Sequence, residues 1–422
     1  MKILVVGSGG REHAIVWKLN QSPAKPELYC APGNAGIAQL ATCVPARVDD
    51  VKSLADLASS LSIDLTIVGP EVPLVAGIAD VFAAWGLRLV GPTAAAARLE
   101  GSKIFAKEFM ARHEIPTARF NICDSPGAAI DAFERNYNLP VVIKADGLAA
   151  GKGVRIAATQ DEFEAAINEM MVERIFGEAG ARVLIEECLV GQEASLMLFT
   201  DGRGYKLIAP ARDYKRVNDG DLGPNTGGMG SYSTAGLIDS LALAAIEHNI
   251  IQPTLAGMAA EGAPFSGVLY VGLMLTSDGP AVIEFNARFG DPETQSVLTR
   301  LNSDLVDIFE SIAGGNIEQI PVAWSEDSSV CVVAASGGYP GAFEKDKQIS
   351  GLPEANRLRD VVVFHAGTAI DTAGKFTTTG GRVLGVTATG ANVPAARDRA
   401  YQAVEQIKFD GMHYRSDIAA GI

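Results

Sequence analysis

Residues 282–295, VIEFNARFGDPETQ, set Glu284, Asn286 and Arg288 at every second position. In an extended strand, residues two apart line one face. A carboxylate beside an amide oxygen suits Mg2+, which prefers oxygen ligands and usually shares them with phosphates. Arg288 continues the row, placed to grip a transferring phosphoryl group or a carboxylate in a fork geometry. A solvated strand face seldom carries Glu, Asn and Arg in one such row. Asp291-Pro292 then turns the chain.

Three other stretches carry candidate chemistry. Lys144 ends the apolar run PVVIKA (140–145), directly before GLAAGKGV (147–154). A lysine at the end of a buried strand either reaches solvent or meets an anion. The glycine stretch fits neither a Walker loop nor a dinucleotide fingerprint. Gly147 and Gly151 are one residue too close, and Gly153 follows Lys152 where a Walker loop needs a hydroxyl. Taken alone, it is a nucleotide loop or a mobile surface turn. Lys103 opens a helix and on its own reads equally as a solvated side chain. In LIEECLVGQEAS (184–195), Glu186 and Glu187 sit at a strand end, ahead of Leu189 and Glu193. The segment reads as an acidic turn, or as a hinge whose backbone reads an adenine edge while Glu193 accepts from ribose hydroxyls. Residues 212–233, RDYKRVNDGDLGPNTGGMGSYS, read as a long structureless segment, usually functional or disordered. Asp213, Lys215 and Arg216 near its start suit an anion site, and its glycines suit close backbone approach.

The elements that must hold these residues begin with βαβ repetition over 1–102. Strand patterns at 2–6, 27–31, 64–68 and 88–90 alternate with helical spacing at 11–20, 51–61 and 74–85. This predicts a parallel sheet with helices on both faces, its ligands at the carboxyl ends of the strands. Loops 7–13, 31–36 and 69–73 lie at that edge and suit a phosphate or ribose, or are tight turns. Glu12 stands where a dinucleotide fingerprint wants its third glycine. A helix at 103–113 is followed by two strand-helix-strand units between 118 and 187, with helices at 126–135 and 160–173. Mainly antiparallel strands with a helix at 239–260 fill 193–286. A polar boundary falls at about 317–329, and more strands and a helix near 394–407 follow it.

Composition narrows the function classes. A chain of 422 residues suggests roughly two to four domains. A net charge of −15 argues against nucleic acid as a partner. No apolar run approaches the ~20 residues that span a bilayer, and the run Ile3–Val6 is too short for a signal-peptide core. Five cysteines without C-x-x-C and five scattered histidines predict no disulfide framework or zinc site, and a reducing cytoplasm.

A strand-ending lysine, a glycine loop, a Glu-rich hinge and a Glu-x-Asn-x-Arg strand, in that order, resemble the ATP-grasp superfamily. GNAG (33–36), GPE (69–71), KADGLAAGKGV (144–154), GPNTGGMG (223–230) and RFGDPETQ (288–295) look like the phosphoribosylamine–glycine ligase family, over essentially the whole chain. The resemblance implies a mixed α/β and α+β fold. It has a Rossmann-like substrate domain at 1–102, an ATP-grasp domain at 103–316 with a mobile lid lobe at 118–188, and a β-rich domain at 328–422. The implied reaction joins glycine to 5-phosphoribosylamine with ATP and Mg2+ or Mn2+, via glycyl phosphate, in purine synthesis. It also implies a cytoplasmic monomer handling small molecules, with transient contact to the amidotransferase that makes the ribosylamine.

Carried over, Lys103 and Lys144 touch ATP phosphates beneath a lid holding Gly151, Lys152 and Gly153. Glu186, Glu187 and Leu189 line the adenine pocket, and Glu193 binds ribose. Glu284 and Asn286 hold the metal. Arg288, Lys144, Asp213, Lys215 and Asp291 are the catalytic set. Asp213, Gly227, Gly228, Arg288 and Asp291 border the substrates, and Gly9, Gly10, Gly33, Asn34, Gly36, Pro70 and Glu71 cradle the ribose phosphate. The strand at 267–275 lacks the further metal carboxylate of many superfamily members, so the metal site is leaner. Tyr214, a histidine in some relatives, receives no role. The alternatives are another ATP-grasp carboxylate–amine ligase, a nicotinamide dehydrogenase suggested only by the N-terminal sheet, and a non-catalytic ATP-binding module.

Overall fold

Five short apolar segments pair in parallel, in the order Thr42–Cys43, Glu27–Pro32, Lys2–Gly7, Leu65–Val68 and Leu89–Val90. Alternate residues of the central strand serve two cores: Leu4 and Val6 pack with Leu54 and Phe82, whereas Ile3 and Val5 pack with Ile15 and Leu19. Burial on both faces is what a parallel sheet with covering helices requires. Loops 7–13, 31–36 and 69–73 therefore leave neighbouring strands at one edge, as the βαβ pattern predicts. The expected helix at 74–85 is two helices, Glu71–Val75 and Ile78–Ala84, divided at Gly77 with φ +84°.

The computed structural model describes every residue except 149–152. The expected ATP contacts of Gly151 and Lys152 thus lie outside the described residues. Strands Phe120–Cys123, Val183–Glu187, Val141–Ala145 and Val154–Ala157 form an antiparallel sheet in that order. Helices Pro126–Asn136 and Gln160–Ile167 pack on it through Ala129, Phe163 and Ala166. Ala145 N–H donates to Gly153 O at 2.8 Å and closes the base of the glycine loop.

The third sheet has nine strands. Its path runs Gly279–Asn286, Ser266–Thr276, Gln192–Asp201, Ala211–Asp213, Gly230–Ser233, Ser328–Ala335, Arg382–Gly390 and Val361–His365, with Tyr205–Leu207 off it. It passes without a break from the central segment into the C-terminal one. Residues 212–233 are not structureless, as the sequence suggested. Ala211–Asp213 and Gly230–Ser233 are interior strands of this sheet, and Arg216–Asn218 pairs with Leu222–Asn225 as a hairpin. Strands of three or four residues are too short to display period-2 alternation, and the buried Ser231 and Ser233 hide the rest of the signal. Helices Ala94–Gly101, Glu293–Leu298 and Leu305–Gly314 were also not anticipated. No helix among the described residues is long and apolar enough to cross a membrane.

Candidate active site

The strand Gly279–Asn286 pairs with Ser266–Thr276, placing Glu284 opposite Gly272 and Asn286 opposite Tyr270. Phe285 between them is buried, so Glu284 and Asn286 share the other face. The residue opposite Glu284 on the neighbouring strand is a glycine, so that position adds no side chain beside the carboxylate. Burial works against the Glu284 charge, but Lys215, Lys144, Lys103 and Arg288 outweigh it and hold the carboxyl below the usual range. Four cations thus converge on one carboxylate.

Lys144 comes from the four-stranded sheet and donates to Ile283 O at 3.0 Å, next to Glu284. Its ammonium also lies 3.0 Å from Glu186 Oε2, which is 2.9 Å from Lys107 Nζ. Glu186 Oε1 is buried and has no hydrogen-bond partner among the described residues. Such an acceptor is costly unless a donor reaches it. Burial pulls Lys107 down to about 8 against the opposing effect of Glu186. Lys103 donates to Gly147 O at 3.0 Å, so it faces the loop and is not a freely solvated side chain. Glu187 Oε1 accepts from Arg119 N–H at 2.8 Å. Leu189 is half-buried in the connection to Gln192–Asp201. Glu193, at the start of that strand, accepts from Lys215 at 3.3 Å.

Arg288 lies beyond the end of the strand, yet its guanidinium returns to Asn286 Oδ1 at 3.3 Å. It bridges Glu71 at 3.1 Å and Glu100 at 2.8 Å. Burial opposes its charge, and Glu100 and Glu71 more than compensate. Glu71 ties the site to the third N-terminal loop. In the first loop, Glu12 accepts from Gly9 N–H at 2.5 Å and from Arg11 Nε at 2.6 Å. A Cβ at Gly69 would lie 2.0 Å from Glu12 Oε1, so Gly69 and Pro70 turn closely past a carboxylate that fills this loop. Glu12 thus occupies the turn at the position where a dinucleotide fingerprint needs its third glycine. The Asn34 side chain is fully engaged: its amide donates to Ser8 O and His365 O, and its oxygen accepts from Gly36 and Ile37 N–H groups. The Asn34 side chain therefore shapes the loop, its amide donors and its oxygen already engaged. Gly10, Gly33 and Gly36 abut Gln295, Cys43 and the His13–His365 pair.

Asp213 ends the strand Ala211–Asp213. Burial raises its carboxyl, Lys215 opposes, and Glu293, Glu193 and Glu284 add to the rise, which brings it to about 7. Lys215 is held charged chiefly by Asp213. Glu293 is buried beside Ser195, whose hydroxyl meets Tyr270 Oη at 2.7 Å. Asp291 accepts from Gln295 at 2.8 Å and from Arg382 at 3.0 Å. Gly228, with φ +108°, sits where a Cβ would strike Pro292 Cδ at 2.4 Å, so the 227–228 backbone and Asp291-Pro292 are in direct apposition.

Family models match three phosphoribosylglycinamide synthetase domains along the chain: the N domain over residues 1–100, the ATP-grasp (A) domain over 101–294 and the C domain over 329–421. The chain belongs to the phosphoribosylglycinamide synthetase family. The phosphoribosylamine–glycine ligase of Caldanaerobacter subterraneus subsp. tengcongensis is 49% identical over 421 residues, covering 100% of both chains. That of Xylella fastidiosa (strain Temecula1) is 52% identical, covering 99% of this chain and 97% of the relative. The crystal structure of the Thermotoga maritima phosphoribosylamine–glycine ligase superposes with a TM-score of 0.85 at 36% identity, covering 99% and 100% of the two chains. Biotin carboxylase from Campylobacter jejuni shares the fold at a TM-score of 0.74 and 14% identity, covering 99% and 94%.

Within this synthetase-family site, sequence reasoning missed Lys107, Glu100 and Arg382. Lys107 neutralises Glu186 beside Lys144, Glu100 anchors Arg288, and Arg382 holds Asp291. All three are single charged residues in unremarkable local sequence, and their partners lie 79, 188 and 91 positions away. Glu284 and Asn286 supply two oxygens on one face, and no cluster of three or more His, Cys, Asp or Glu able to hold a metal occurs among the described residues. Two protein oxygens on one face fit Mg2+, which seldom uses an all-protein cage and completes its shell with water and phosphate oxygens.

Proposed function

We propose that this chain joins glycine to 5-phosphoribosylamine, converting ATP to ADP and phosphate and releasing glycinamide ribonucleotide. The surroundings of Glu284 support this reading: Lys215 lies 4.0 Å from its carboxylate, and Lys144, Lys103 and Arg288 add to the positive field that favours its charge. These cations supply the positive surroundings that a triphosphate and a transferring phosphoryl group need.

A carboxylate is a poor acyl donor because its oxygen does not leave. A glycine carboxylate oxygen attacks the γ-phosphorus of ATP, and the bond to the bridging oxygen breaks, leaving on ADP. In the resulting glycyl phosphate, the ribosylamine nitrogen attacks the acyl carbon. The carbon–oxygen bond to phosphate then breaks, and the nitrogen gives up one proton. Lys103 and Lys144 orient the phosphates, and Arg288 faces the γ-phosphoryl. Asp213, partnered by Lys215, takes the proton. Asp291, Gly227 and Gly228 border the acceptor, and Glu71, Pro70, Gly9 and the loops at 33–36 hold the ribose phosphate side. The unpartnered Glu186 Oε1 suits an exocyclic amine, with Glu187 and Leu189 lining the base and Glu193 the ribose. Glu284 and Asn286 would hold Mg2+ or Mn2+, which neutralises phosphate oxygens when bound. The lobe at 118–188 covers the nucleotide and keeps water from the acyl phosphate. The chain acts as a cytoplasmic monomer, and the lability of the ribosylamine argues for transient contact with the amidotransferase that makes it.

The test is phosphate release from ATP with glycine, with and without phosphoribosylamine generated in situ. Release that requires glycine and is matched by amide product is expected. Turnover driven by a different acid, with none from glycine, would overturn the assignment.

A further inference from the structure

Arg382 begins the strand Arg382–Gly390 in the C-terminal segment, but its guanidinium turns back into the site. Nη1 donates to Gly227 O and, at 2.8 Å, to Asp291 O, and Nη2 donates to Asp291 Oδ2 at 3.0 Å. The other face of the same peptide segment is held as well: Gly227 N–H donates to Tyr339 Oη at 2.9 Å. The segments that carry Tyr339 and Arg382 are joined to each other. The Tyr339 ring lies against Gly381, where a Cβ would be 2.3 Å from Cδ2. Ser336 N–H donates to Gly381 O at 2.8 Å, and its hydroxyl donates to Gly380 O at 2.9 Å. Across the site, Gln295 fixes Asp291 Oδ1 at 2.8 Å. Each Asp291 oxygen thus has one protein donor and a lone pair to spare, and Oδ2 faces Gly9 of the first N-terminal loop.

We propose that Arg382 and Tyr339 form a positioning clamp, which fixes Asp291 against the 227–228 backbone so that the acceptor amine is aligned on the acyl phosphate. This rests on the function proposed above. A charge-assisted fork reaching one carboxylate and two carbonyls restricts all three groups at once. The clamp touches Asp291 and Gly227 but not Lys103, Lys144 or Glu186, so acyl transfer depends on it and ATP binding does not. A misaligned amine leaves the acyl phosphate exposed to hydrolysis, in which water takes the place of nitrogen at the acyl carbon and glycine and phosphate are released.

The experiment measures ADP and amide product separately for the full-length Arg382→Gln variant. Amide formation is expected to fall ~10- to 100-fold, the cost of an ångström-scale misplacement, while the ATP KM stays within about twofold. The ratio of ADP to amide rises above that of the unmodified chain, and the phosphoribosylamine KM rises. Arg382→Lys restores part of the ratio through Asp291 Oδ2. Tyr339→Phe, which removes one hydroxyl, shifts the ratio in the same direction by less. An unchanged ratio and an unchanged phosphoribosylamine KM in folded Arg382→Gln overturn the clamp. If that variant does not fold, the same null result in Tyr339→Phe does so. An unmodified chain that makes no amide overturns the parent reading instead.

Discussion

Lys144 Nζ and Glu186 Oε2 meet at 3.0 Å with side chains only 7% and 3% exposed, joining the lysine that precedes the glycine loop to the acidic hinge. Lys107 approaches the same oxygen. Glu186→Ala strands two shielded ammonium groups against each other. Breaking such a pair costs ~3–5 kcal/mol, seen as a thermal midpoint lowered by at least ~5 °C. Differential scanning fluorimetry checks this, and an unchanged midpoint would contradict the pairing.

Arg288 answers to Glu71, Glu100 and Asn286 at once, a task for a planar fork that a lysine cannot perform. Arg288→Lys keeps one charge beside Glu100 and so spares the fold. Its kcat is expected to drop at least ~10²-fold, the scale of one lost electrostatic stabiliser. Near-normal steady-state turnover would remove Arg288 from the phosphoryl site.

Asp213, raised to about 7 by burial and by neighbouring carboxylates against the pull of Lys215, gives the activity a pH dependence. A proton acceptor works only when deprotonated, so kcat/KM falls on the acid side of about 7. Asp213→Asn should lower the rate and abolish that limb. A profile whose acid limb is unaltered in the variant would assign the ionisation elsewhere.

His13 and His365 are buried together where the first helix meets a C-terminal strand, with His365 N–H donating to His13 Nδ1 at 2.8 Å. Burial lowers His13 to about 3 and His365 to about 4. Both are neutral in the fold, whereas unfolded imidazoles bind a proton below ~6.5. The unfolded state then holds more protons, so stability falls as pH drops from ~6.5 towards 4. His13→Asn keeps an acceptor near Nδ1 and removes one titration. Its loss of stability between pH 6.5 and 5 should be smaller than that of the unmodified chain by roughly 2 kcal/mol. Parallel urea melts at the two pH values test this, and an identical loss of unfolding free energy in the two chains would refute it.

Glu284 carries the only negative charge of the oxygen pair facing the four cations. Glu284→Gln should raise the Mg2+ concentration for half-maximal turnover at least ~10-fold. A Mg2+ titration at saturating ATP that coincides with that of the unmodified chain would exclude Glu284 as a ligand.

Much of this was readable locally. Glu284 and Asn286 share a face because strand geometry repeats every two residues, and the parallel N-terminal sheet follows from alternating periodicities. Lys144 at a strand end before glycines, and Glu186 at the next strand end, mark a charged cleft without any knowledge of which strands pair. The 212–233 segment was misread because its strands are short and its burial comes from neighbours. Asn34 stands in a promising loop, yet its side-chain amide is spent on Ser8 and His365 and its side-chain oxygen on its own loop.

Residue order alone settled which groups alternate on a strand, which loops leave one sheet edge, and which family motifs the chain carries. These depend on backbone periodicity and short-range sterics, which act over a few residues. Only the tertiary structure decided that Glu186 has Lys107 as well as Lys144, that Arg288 leans on Glu100, and that Arg382 reaches Asp291 from the far end of the chain. Electrostatic pairing depends on distance in space, and that distance exists only after the sheets have packed.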